Sequence, residues 1–127
     1  MMQTKSSVIN CISLNVKGIR EKNKRQSIFK WCKEKRGNVI FLQETFSTQD
    51  VVNYWNSMWK GTCIYSHGTN HSKGVMILFD SGVNMKLDHT VIDVEGRYIF
   101  SVGFLQNQAV ILGNVYFPVG SKEAEQL

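Results

Sequence analysis

In the stretch "NVIFLQETFST" (residues 38–48), four apolar residues from Val39 to Leu42 give way at once to Gln43, Glu44 and Thr45. The run predicts a strand buried on both faces, and Glu44 stands where that strand surfaces. Earlier in the chain, "SLNVKGI" places Asn15 at the end of another apolar segment. If the two strands are parallel neighbours, their carboxyl ends share one edge, the place where α/β sheets build their sites. An exposed, ionised carboxylate there suits a hard cation such as Mg²⁺, which takes oxygen ligands. Asn15 could orient a second ligand or donate to a phosphate. The alternative use for Glu44 is to accept hydrogen bonds from the loop that follows it.

The elements around these residues favour the parallel arrangement. "SSVINCISLNVKG" alternates as a first strand ending near Asn15, and Gly18 allows the chain to turn. From about Lys22 to Arg36 the spacing predicts a helix with Ile28, Phe29, Trp31 and Cys32 on one side, stopped by Gly37 and Asn38. "VIFLQE" is then the second strand of a right-handed βαβ unit. "STQDVVNYWNSMW" predicts a second helix, with Ser47 and Asp50 as cap residues and its tryptophans packed on the sheet. "GTCIYS", "GVMILF", "GRYIFSVGF" and "QAVILGNVYFP" read as short strands, and "QNQ" (106–108) as a hairpin connection. The expectation is an antiparallel meander that extends the sheet of the βαβ unit, with "DH" at Asp88 and His89 lying between strands. At the end, Ser121 with Glu123 and Glu125 reads as the capped first turn of another helix.

Composition narrows the class. The 127 residues are 43% hydrophobic and 20% charged with one proline, which suits one globular domain. The apolar run Val75–Phe79 is far too short for a membrane span, and "MMQTKSSVIN" lacks a secretory signal pattern, so an intracellular protein is expected. Cys11, Cys32 and Cys63 are odd in number and widely spaced, as expected of free thiols in a reducing compartment. His67 and His71 have no third ligand nearby and are read as surface histidines without a role. Residues 17–36 carry nine Lys/Arg against Glu21 and Glu34, a local +7 in a chain of net +5. Such a segment is either a solvated helix face or a footprint for a polyanion.

Taken in order, "SLNVKGI", "VIFLQET", "SKGVMILF", "EGRYI" and "ILGNVYFP" resemble the endonuclease/exonuclease/phosphatase superfamily. Within it the likeness is to the AP-endonuclease-like endonuclease domain of LINE-type retrotransposons, across residues 8 to 118. The resemblance implies an α/β fold: the N-terminal half of a four-layer αββα, DNase-I-like sandwich, its mixed sheet combining one βαβ unit with a meander. It implies Mg²⁺-dependent cleavage of phosphodiester bonds, with Glu44 as metal ligand, Asn15 beside the metal and phosphate, and Tyr116 reaching the phosphate. Lys73 and Arg97 could approach the nucleic-acid backbone, and solvent exposure explains them equally well. DNA is the implied partner, the location nuclear, and a reverse transcriptase an implied companion in a full-length element.

The sequence departs from the family pattern in two ways. Val119 stands where asparagine usually follows the "YxP" segment. No Gly-Asp-Phe-Asn-like segment and no late Asp-His pair occur in the 127 residues. The expectation is therefore a partial domain spanning 1–127, truncated after the "YxP" strand and inactive without its C-terminal half. Two other readings stay open: a non-catalytic nucleic-acid-binding module built on the basic segment, or a poorly folding relic with an exposed apolar face.

Overall fold

The structure is a computed structural model that describes residues 8–118. Strand β1 (Cys11–Asn15) leads through helix α1 (Lys22–Glu34) to β2 (Val39–Gln43). A single 3₁₀ turn (Gln49–Val51) precedes helix α2 (Val52–Met58), followed by β3 (Gly61–Ser66) and β4 (Val75–Asp80). Strands β5 (Met85–Ile92), β6 (Tyr98–Leu105) and β7 (Gln108–Val115) complete the order. β1 and β2 are parallel, in register from Cys11 opposite Val39 to Asn15 opposite Gln43, as the βαβ reading requires. β4 runs antiparallel to β2, and β3 to β4, giving a mixed sheet of order β1-β2-β4-β3.

The meander does not extend that sheet. Strands β5-β6-β7 form a separate antiparallel sheet. The reason lies in β2 and β4, whose runs are apolar on both faces and so need cover on both. Ile40, Leu42, Met76 and Leu78 point to the helices and pack with Phe29, Cys32, Trp55 and Trp59. Val39, Val75, Ile77 and Phe79 point the other way and pack with Ile99, Leu105 and Leu112 of the second sheet. The described layers are thus helices, mixed sheet and meander sheet.

Helix α1 begins where the Glu21 carboxylate accepts from the backbone N–H groups of Asn23 (3.0 Å) and Lys24 (2.7 Å). Its buried face is Arg25, Phe29 and Cys32, one helical turn apart each time, with Ile28 half-buried at the margin. Trp31 does not join them; it faces solvent. Arg25, counted above as part of a basic surface, is inside: it donates to the carbonyls of Ile19 and Arg20 at 2.9 Å and lies over the rings of Tyr54 and Trp55. The helix stops at Arg36, which takes the left-handed conformation (φ 55°). Gly37 serves close packing instead, since a Cβ there would lie 2.7 Å from Ile12 Cδ1.

The second helix starts later than the cap reading places it. Thr48 occupies the N-cap position of the 3₁₀ turn, with its hydroxyl donated to the Asp50 carboxylate, and Ser47 is buried beside His67. Trp55 and Trp59 pack on the sheet as expected, and the Trp59 indole N–H donates to the Phe79 carbonyl at 3.0 Å. Asp88 and His89 lie within β5, not between strands; a bulge between Leu87 and His89 breaks the alternation that would have revealed it. Gln106 and Asn107 are both left-handed, the geometry of a two-residue hairpin turn. Val119, Ser121, Glu123 and Glu125 lie outside the described residues.

The outer face of the second sheet carries Phe100, Val102, Phe104 and Ile111, all exposed. Strand alternation makes a sharp prediction on β7. Ile111 is 81% exposed and Leu112 only 7%. Ile111→Lys should raise solubility and shift the thermal midpoint by no more than about 2 °C. Leu112→Lys, one residue on, should abolish the cooperative melt followed by circular dichroism.

Candidate active site

Parallel pairing of β1 and β2 carries Asn15 and Gln43 to the same edge, and the chain then leaves both strands in an unusual conformation. Lys17, Glu44, Phe46 and Lys73 all have φ between 51° and 62° without being glycine. Each such residue costs about 1–2 kcal/mol, so the surroundings must hold it there. Backbone bonds do so from two sides. Val16, Gly18 and Ile19 donate to the carbonyls of Gln43, Glu44 and Thr45 at 2.6–3.1 Å. Thr45 and Phe46 donate to Gly74 and Lys73 at 3.0 Å, and Gly74 donates to Gly96 at 2.9 Å. Gly18 is required: at φ 84° a Cβ would sit 2.4 Å from the Phe46 ring.

Asn15, Lys17, Gln43 and Glu44 line a cleft of about 500 Å³ with Val115, Tyr116 and Phe117. Tyr116 arrives from the other sheet and donates its hydroxyl to Glu44 Oε1 at 2.7 Å. Burial, and then this bond to Glu44, push the phenol up to about 12, so it is a neutral donor at physiological pH. Glu44 Oε2 has no hydrogen-bond partner among the described residues. Asn15 Oδ1 accepts from the Lys17 N–H at 3.1 Å, which fixes the amide's orientation and leaves its NH₂ as a donor for a ligand. The structure thus brings Asn15, Glu44 and Tyr116 to one cleft.

Lys73 and Arg97 are not among the residues lining it. The Arg97 guanidinium meets Asp93 at 2.7 Å and Glu95 at 3.6 Å, and its bond to Asp93 holds that carboxyl below the usual range. Both residues also hold the local backbone: the Lys73 carbonyl accepts from the Phe46 N–H, and the Arg97 carbonyl accepts from the Tyr116 N–H at 2.7 Å.

Asn114 and Gln43 are the residues the sequence reading passed over. Buried Asn114 donates from Nδ2 to the carbonyls of Leu42 (3.0 Å) and Met76 (2.8 Å), and accepts from Gln43 Nε2 at 2.8 Å. It ties β7 to β2 and β4 two residues before Tyr116, so it sets where the phenol meets Glu44. A buried, inward polar residue on an apolar strand was the available signal. His67 also differs from expectation. It is half-buried, bonded to Ser47 at 3.0 Å and stacked on Tyr65, and burial pushes its pKa down; His71 is exposed.

No group of three His, Cys, Asp or Glu side chains converges among the described residues. The oxygen of Glu44 that Tyr116 leaves open is the cleft's one carboxylate ligand, and it is hard. It fits a cation such as Mg²⁺ that keeps several waters and takes one or two protein carboxylates.

Comparison with known proteins agrees with this geometry. No protein-family model matches the chain. A Xenopus laevis "Transposon TX1 uncharacterized 149 kDa protein" is 28% identical over 111 residues, 87% of this chain and 8% of that protein. AP endonuclease LMAP from Leishmania major superimposes at TM-score 0.64 and 14% identity, covering 91% of this chain and 42% of its own. TDP2 from Caenorhabditis elegans gives 0.63 at 17%, covering 93% and 37%. The endonuclease domain of TRAS1, a telomere-specific non-LTR retrotransposon, gives 0.58 at 10%, covering 91% and 49%. The chain therefore has the DNase-I-like fold its motifs resemble, over about half the length of these structures or less.

Two measurements test the site's electrostatics. Glu44→Gln removes the carboxylate that favours the neutral phenol. The Tyr116 titration, read by ultraviolet difference against Tyr116→Phe, should move from about 12 part of the way toward an ordinary tyrosine, burial retaining the rest. His67 binds its proton more weakly folded than unfolded. Its contribution is present above about pH 6.5 and is lost as pH falls from there through the lower folded pKa, so the melting midpoint should decline over that range. His67→Gln should flatten that decline and leave the later carboxylate-driven fall in place.

Proposed function

We propose that this chain supplies the Glu44 half of a Mg²⁺-dependent phosphodiesterase site that nicks DNA, of the kind retrotransposon endonucleases carry. The observation that carries this reading is the contact of Tyr116 with Glu44 across two sheets, beside the free amide of Asn15. An acid, a neutral phenol and an amide donor in one cleft are the groups a metal-bridged phosphate would meet. The transposon protein and the nuclease folds among the similar structures support DNA as substrate, and a nuclear place of action accords with it.

Glu44 would hold the cation through the oxygen that Tyr116 leaves open. When bound, Mg²⁺ supplies Lewis-acid polarisation of the phosphate and neutralises developing charge. Tyr116, held neutral, can turn its O–H from Glu44 to a non-bridging phosphate oxygen. The Asn15 NH₂ can donate to a second one. Lys17 adds positive charge at the rim. Hydrolysis also needs a base to activate water. Among the described residues the cleft holds one carboxylate and no histidine, so the base and a second metal ligand must come from elsewhere in a working nuclease.

A plasmid-nicking assay with Mg²⁺ tests both parts. The 127 residues alone should nick no more than their Glu44→Ala variant. Joined to the later half of such a domain, which brings the missing base, the chain should nick, and Glu44→Ala should then reduce the rate at least a hundredfold. Strong Glu44-dependent nicking by the 127 residues alone would refute the half-site reading. Indifference of the completed domain to Glu44→Ala would refute the metal role.

A further inference from the structure

Of the three tryptophans, Trp55 and Trp59 are 2% and 3% exposed, and Trp31 is 40% exposed. A half-exposed indole on the outer side of a helix contributes little to the core. Its neighbours give it a use. At 100° per residue, Lys24 and Lys35 lie within about 20° and 40° of Trp31 around the helix axis. Lys35 places its ammonium 5.8 Å from the Trp31 ring centroid.

The acids of this segment are engaged elsewhere. Glu21 caps the helix, and Glu34 is 3.9 Å from Lys30. Lys17, Lys24 and Lys35 take part in no ion pair among the described residues.

The stripe also connects to the cleft. Lys24 Nζ donates to the Lys17 carbonyl at 3.1 Å, and Lys17 lines the cleft beside Asn15 and Glu44. From Lys24, Trp31 lies about 10 Å farther along the helix and Lys35 about 6 Å beyond that. The order from the site outward is Lys17, Lys24, Trp31, Lys35: cation, cation, aromatic, cation. Alternation of backbone-neutralising charge with a flat ring is how proteins hold an unpaired strand of nucleic acid, each base offering a face and each phosphate a charge.

We infer that the outer face of α1 is a binding track for single-stranded nucleic acid, on which an unpaired base stacks against Trp31 while Lys24 and Lys35 meet the flanking phosphates. The inference rests on the DNA reading above and extends it, since the track leads a strand away from the Glu44 cleft. Duplex DNA has its base faces buried in the stack and can offer the track only phosphates. A single strand is therefore the preferred occupant at equal charge.

Trp31 is the only exposed indole among the described residues, so the protein's own fluorescence reports on it. In EDTA and about 20 mM salt, a thymidylate oligonucleotide should quench the red edge of the emission. Inorganic polyphosphate of similar charge should compete for binding without quenching. Trp31→Leu should remove the quenching and weaken oligonucleotide binding about tenfold, leaving polyphosphate binding intact, and Trp31→Phe should recover part of the affinity. Lys24→Gln and Lys35→Gln should each lower the salt dependence of log K by about 0.7. Oligonucleotide binding that is salt-dependent but unaffected by Trp31→Leu would overturn the track and leave the DNA reading standing. Failure of any oligonucleotide to bind would overturn the track, while the DNA reading is tested separately by nicking with the completed domain.

Discussion

Strands β2 and β4 have no solvent face, and that constraint organises the molecule. Val39, Ile40 and Leu42, with Val75 to Phe79, are almost wholly removed from water, and a two-sided apolar ribbon of this kind must be covered on each side. Helices α1 and α2 cover one side. The other is covered by a second sheet, because the remaining sequence offers one-sided strands: Ile99, Ser101, Gly103 and Leu105 face in while Phe100, Val102 and Phe104 face out. Face-to-face stacking then brings the end of β7 over the end of β2. The meeting of Tyr116 with Glu44, distant by 72 residues in sequence, is a consequence of covering β2 twice.

Stacked sheets can slide, and a sliding interface would not hold a 2.7 Å contact. Asn114 removes that freedom. Its amide spans the interface to two carbonyls of the mixed sheet and receives Gln43, the residue immediately before Glu44. A buried carboxamide is costly unless fully bonded, and this one has partners for donor and acceptor alike, so displacement would leave unpaired polar groups in the core. The left-handed residues are held by the same kind of force. Glu44 and Phe46 keep an unfavourable φ because the strands on either side accept no other path for their backbone bonds.

What could be read from the sequence follows from this division. Asn15 and Glu44 stood out because each is a polar residue placed where an apolar strand ends, and parallel pairing follows from strand–helix–strand order. The separation into two sheets was not legible, since alternation along β6 and β7 says that one face is buried without saying against what. β5 was hidden by its bulge, which puts an extra residue into the alternation at Asp88. Arg25 and His67 were misplaced for a shared reason. A charged or polar side chain is scored as surface by its type, yet Arg25 can enter because carbonyls of the α1 approach and two aromatic rings replace its water. His67 enters through Ser47 and Tyr65.

The basic segment resolves into two populations by the same accounting. Arg25 is held inside the protein, and half-buried Arg20 is tied down by the Phe46 carbonyl, Thr48 and Asp50. They brace the loop that carries Glu44 rather than meet a partner. The lysines of α1 stay exposed, Lys30 pairing loosely with Glu34 and Lys24 reaching the Lys17 carbonyl, so the charge open to a polyanion is smaller than the composition suggests. The cleft itself is built from carbonyls, amides and one phenol–carboxylate bond in a half-buried setting, where salt has little effect. The α1 face depends on exposed charge and is strongly screened. A polyanion held on α1 and the groups positioned in the cleft would therefore rest on physically separate forces, and ionic strength would change the first without disturbing the second.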